Sequence, residues 1–91
     1  MTNGKNIFQE ANGLLASIGF RVKKASEDDY EIVNRCGRTI VHGKLETMYY
    51  CAFIMANEAK ENPGKYEQLN EAQDANELYQ AGLAMAKKLQ K

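Results

Sequence analysis

The chain has 91 residues, 44% of them hydrophobic, with 12 basic and 12 acidic residues and no formal net charge. That much apolar content excludes global disorder, and the length is one domain's worth, residues 1–91. The balanced charge lacks the basic excess of a nucleic-acid or anionic-membrane binder.

The first element is a helix over residues 6–18. Ile7, Phe8, Ala11, Leu14, Leu15 and Ile18 recur at helical spacing and form one apolar face. Gly19 supplies a left-handed stop, with apolar Phe20 beyond it. The period then changes to two. Phe20 and Val22 alternate with Arg21 and Lys23 in a first strand. The polar run Ser26-Glu27-Asp28-Asp29 turns the chain into a second strand, Tyr30 to Val33. Asn34-Arg35-Cys36-Gly37 forms the next hairpin loop, and Thr39 to His42 the third strand. Short connections make the three strands an antiparallel meander. Phe20, Val22, Tyr30, Ile32 and Ile40 are expected on the face that meets the helices. Arg21, Lys23, Glu31 and Thr39 are expected on the wet face.

A second helix runs from Leu45 to about Lys60, with Leu45, Met48, Tyr49, Ala52, Phe53, Ala56 and Ala59 as its core stripe. Asn62-Pro63-Gly64 breaks it. A third helix follows, and its start has two solutions. Either Asn62 caps it with Pro63 in the first turn, or Asn70 and Gln73 form a capping box. Its apolar side consists of Leu69, Leu78, Tyr79, Leu83, Ala86 and Leu89. The expected fold is therefore α+β, in the order α-β-β-β-α-α, with helices packed on one face of a three-stranded antiparallel sheet.

The second helix carries more than one apolar face. Tyr50, Cys51 and Ile54 form a flank beside the core stripe, and a helix apolar nearly all round must be covered on both sides. The third helix could supply that cover. The alternative is a partner surface made by Tyr49, Tyr50 and Ile54, for a protein partner or a second copy of the chain. Tyr and Met are enriched at such surfaces.

The other candidates are weaker as chemistry. His42 is the single histidine and has no neighbour at metal-ligand spacing. Cys36 and Cys51 lack a CxxC spacing, which speaks against zinc and redox motifs. Reduced thiols suit a cytoplasmic protein, and one disulfide is the opposing reading. Glu27, Asp28, Asp29 and Glu31 crowd a turn but lack calcium-loop spacing. Glu67, Glu71 and Asp74 fall at helical spacing as an acidic stripe. Arg21, Lys23 and Arg38 are the candidate contacts of a nucleic-acid-binding module on the basic side of the sheet. From Phe20 to Lys44 there are six basic and four acidic residues, a net of only plus two. No cofactor is implied, and no apolar run reaches the roughly 20 residues that span a bilayer.

The stretch Leu14-Leu15-Ala16-Ser17-Ile18-Gly19-Phe20-Arg21-Val22, Asn34 to Gly37 and Val41-His42-Gly43-Lys44 resembles the HicA-type toxins. The α-β-β-β-α layout also resembles double-stranded-RNA-binding domains. Neither family's working residues carry over. The toxin histidine near the start of the second strand is replaced by Asp28-Asp29-Tyr30. The basic cluster that opens the RNA-binding domains' second helix reads Lys44-Leu45-Glu46-Thr47. In size and layout the chain is also similar to small phage-encoded inhibitors of bacterial defence nucleases. The function expected from these readings is a non-enzymatic interaction protein, such as an accessory or inhibitor protein of a phage or mobile element.

Overall fold

The computed structural model describes the backbone of residues 4–89 and the side chains of residues 7–86. Helix α1 spans Gly4–Ala16. Strands β1 (Arg21–Ser26), β2 (Asp29–Val33) and β3 (Thr39–Gly43) follow. Helix α2 is Leu45–Glu61, α3 a short Glu67–Glu71, and α4 Ala75–Leu89. The fold is α+β, with one antiparallel sheet ordered β1-β2-β3. Helix α1 packs on α2 and β1, while α2 lies over β2 and β3.

Each expected break is present and has a local cause. Gly19 takes φ +84°, and a Cβ there would lie 2.1 Å from the Asn70 amide nitrogen. Only glycine can both reverse the chain after α1 and let that amide approach. Gly37 takes φ +82° in the β2–β3 loop, where its N–H donates to the Asn34 carbonyl.

The core contains Ala11 and Leu15 of α1, Phe20 and Val22, Ile32, and Met48, Ala52 and Met55 of α2, closed by Tyr66. The strand alternation sends Val22 and Ile32 inward, as the period of two requires. Tyr30 is half-buried against Phe8, with ring centroids 6.0 Å apart. Ile40 departs from the expected pattern. An irregularity in the β2–β3 register places Val41, not Ile40, opposite Ile32. The extra residue shifts the inward position by one. Both side chains still pack against the core.

The third helical segment differs from both expected starts. Gly64 adopts φ +88°, which stops a helix from running on from Pro63. Asn70 is buried, and its amide is occupied elsewhere, so it does not cap. The cap is Asp74. Its Oδ1 accepts the Glu77 N–H at 2.9 Å, and the Glu77 carboxylate accepts the Gln73 N–H at 2.5 Å. This reciprocal pairing is a variant of the capping box. The segment is thereby divided into α3 and α4. Glu67 and Glu71 belong to the first, and Asp74 lies between the two.

The inward side of α4 is also rotated from expectation. Ala81 is fully buried, and Leu78 and Met85 are half-buried. Tyr79 and Leu83 are exposed, at 63% and 41%. The Leu89 side chain lies outside the described residues. Leu78, Ala81 and Met85 thus do the packing, and Tyr79 and Leu83 face out.

Candidate functional site

Two asparagines fasten the α3 region to the sheet and to α1. Asn34, at the end of β2, is 1% exposed. Its amide donates to the carbonyls of Leu69 and Ala72, at 2.9 and 2.8 Å. Its carbonyl accepts the N–H groups of Cys36 and Arg38. Asn70 is equally buried. It donates to the Ile18 carbonyl and accepts the Arg35 N–H, at 2.9 and 2.8 Å. A buried amide is tolerable only when its donors and acceptors are paired. Here the pairing forms a seam between elements far apart in sequence.

With α3 held there, α4 stands beside the sheet rather than on it. Among the described residues its backbone packs most closely on α3. The result is an open trough of about 430 Å³. Thr39, Ile40 and Val41 of β3 form one wall, and Leu78 and Gly82 of α4 the other. Cys51, Ile54 and Met55 of α2, with Tyr66 and Leu69, complete it. The second flank of α2 is therefore only partly covered by its own chain. Met55 is buried and Cys51 half-buried, whereas Ile54 remains 43% exposed.

The three residues expected to bind a partner separate into two groups. Tyr50 and Ile54, one turn apart, are both exposed on the outer side of α2. Tyr49 is half-buried and turns toward α1, where it lines a second hollow with Glu10, Gly13, Leu14 and Phe53. Tyr49 and Ile54 are five positions apart, about 140° round the helix, so Tyr49 does not join Ile54 in one contact. Sequence reasoning missed Tyr79 and Leu83 as surface residues. Their signal lay in the neighbouring Ala81, which offers a close-packing position at the right phase.

The candidate nucleic-acid contacts do not converge. Arg21 and Lys23 are exposed at alternate positions of β1. Arg38 is turned away to the C-terminal seam, where its Nε donates to the Gln73 carbonyl at 2.6 Å. The outer sheet face between them also carries acid. Glu31 accepts a hydrogen bond from Thr39, and Asp29 pairs with His42 at 3.3 Å. Cys36 and Cys51 are free thiols, not joined in a disulfide.

One titratable cluster borders the trough. The buried Tyr66 hydroxyl donates to the Glu58 carboxylate, which also meets Lys65 at 3.2 Å. The bond from Tyr66, with help from Lys65, holds the Glu58 carboxyl below its ordinary range. Burial, then the bond to Glu58, pushes the Tyr66 phenol well above its ordinary value of 10.0. The pair fixes the Tyr66 ring, which meets Phe20 edge-on at 6.2 Å. No group of metal-ligating side chains gathers among the described residues, and no described helix is long and apolar enough to cross a membrane.

No family model matches the chain, and neither a curated protein nor a solved structure matches it.

Proposed function

We propose that this chain is a non-enzymatic docking protein that holds a protein partner on the apolar trough between β3, α2 and α4. The observation that carries the reading is Ile54, an aliphatic side chain 43% exposed at the rim of that trough. Tyr50 extends the surface along α2. Leu78 and Gly82 supply the facing wall on α4, and Tyr79 and Leu83 lie exposed on its outer side. A cleft with apolar walls and Tyr on its margins suits a protein contact, where Tyr is enriched among the residues that dominate binding. A cytoplasmic setting keeps the two free thiols reduced.

The test is Ile54→Asp. A charge at the rim stays hydrated in the free chain but is desolvated when a partner docks. Affinity capture from the host's extract, together with light scattering on the pure chain, is expected to show a partner or self-association for the natural sequence. Both are lost in the variant, which keeps a cooperative melt. If the variant unfolds, Ile54 belongs to the core and the reading fails. If it captures the same proteins and keeps the same mass, the trough is not the docking site.

A further inference from the structure

The occupant of the trough follows from the strand that walls it. Val22 turns its N–H and C=O out of the sheet toward Asn12, so the Val22–Ile32 pair is not a hydrogen-bonded one. Ile32 therefore turns its own backbone groups toward β3, where it faces Val41. Alternation then points the N–H and C=O of His42 away from β2, and the extra residue Ile40, which brings Thr39 opposite Val33, turns those of Thr39 outward as well. Among the described residues nothing outside the sheet bonds the backbone of Thr39–Gly43. An open strand edge is a template for another strand. Proteins blunt such edges with lysine or proline, and β3, Thr-Ile-Val-His-Gly, has neither. Any strand that pairs with β3 enters the trough, because Thr39, Ile40 and Val41 line it.

Resting on the docking reading above, we infer that the partner is a second copy of this chain, joined through β3. Two β3 edges related by a two-fold axis pair antiparallel, as every strand pair in this sheet already does. The joint sheet has six strands, and each copy's β3 occupies the trough of the other. Apolar area flanks the joint. Tyr50 and Ile54, one turn apart on α2, are 67% and 43% exposed and offer about 200 Å² per copy, taking roughly 200 Å² for each large side chain. The half-buried Ile40, Val41, Cys51 and Leu78 of the trough add to it. A standard interface covers about 800 Å² per partner, of which a little over half is apolar. Charge presents no obstacle, because a chain with zero net charge does not repel its copy.

The test reads mass, edge and trough separately across a dilution series of the full chain. Sedimentation is expected to give twice the 10.2 kDa chain mass at high concentration, halving on dilution. Over the same range the outward His42 amide should lose its protection from hydrogen exchange. The Cys51 thiol, in a Cys36→Ser background, should become faster to alkylate. His42→Pro removes that outward donor and is expected to give a folded chain of half the mass. Slow exchange and slow alkylation at high concentration already support the dimer if this variant fails to fold. A single-chain mass at every concentration overturns the second copy, yet leaves the docking reading standing if affinity capture still returns a protein that Ile54→Asp loses. A dimer with an unprotected His42 amide and a slow Cys51 overturns pairing through β3 alone. A dimer that leaves both probes unchanged overturns the proposal and the trough together.

Discussion

The two edges of the sheet are treated in opposite ways. On the β1 side, the Asn12 carbonyl accepts the Val22 N–H at 2.9 Å and its amide lies 3.4 Å from the Val22 carbonyl. One side chain on α1 thus imitates a neighbouring strand. Lys23 and Lys24 add charge along the same strand, which discourages pairing with another chain. On the β3 side there is no such side chain among the described residues, and the edge opens on an apolar trough. A protein that must avoid all edge-to-edge contact would treat both edges alike. That asymmetry is what the proposed dimer requires, with the β1 edge closed within the monomer and the β3 edge left open.

The comparison depends on where α4 stands, and that depends on Asn34. Its amide is the joint by which β2 holds the carbonyls on both sides of Asn70. Asn34→Ala leaves two carbonyls and two N–H groups without their partner at a buried to part-buried site. Each orphaned buried group costs about 1–3 kcal/mol, and partial relaxation brings the expected loss to roughly 3–5 kcal/mol. Urea denaturation measures it. A loss within the range of a surface substitution would mean the trough's far wall is held by something else.

How much of this was legible in the sequence differs between local and long-range features. Gly19, Gly37 and the change of period after Phe20 determine α1 and the three strands, because each acts through its own backbone and immediate neighbours. The phase of α4 was misread because its apolar side was drawn through Tyr79, Leu83 and Ala86 and passed over Ala81 and Met85, while Leu78 is half-buried. Ala81 is fully buried, and Leu83 and Tyr79 face out. Asn12, Asn34 and Asn70 appear in the sequence as ordinary polar residues. Their importance comes from partners ten to 52 positions away, which no local pattern reveals. The surplus apolar flank on α2 was visible in Tyr50 and Ile54. That Tyr49 belongs to a different hollow became clear only once α1 was placed beside it.

The sealed edge gives the next largest effect. Asn12→Leu keeps a side chain of similar size on α1 but abandons the Val22 N–H and C=O. The expected cost is about 1–3 kcal/mol, from two backbone groups at a partly buried edge. The more telling result concerns association. With its block removed, β1 becomes a second open edge, so the variant is expected to form species larger than a dimer, seen as a rising mean mass in light scattering. If its mass distribution matches that of the natural chain, Asn12 is a stability contact and not a guard, and the contrast between the edges loses its meaning.

The smallest effect belongs to the trough's own margin, at Tyr66 and Glu58. Tyr66→Phe retains the ring against Phe20 and removes the hydroxyl, so the loss is one hydrogen bond to a carboxylate, about 1–2 kcal/mol. Its pH dependence gives a sharper test than its size. The Glu58 carboxyl lies below its ordinary 4.5 in the folded chain. Its contribution is therefore present above that value and fades as pH falls through the lower folded one. The Tyr66 phenol is raised above 10.0, so its contribution is complete below pH 10 and declines only as the solution becomes more alkaline. The difference in melting temperature between the natural chain and Tyr66→Phe should thus be flat from about pH 5 to 9 and shrink on both sides. A difference that changes through neutrality would point to another titrating group at this wall, because neither member of the pair exchanges a proton there.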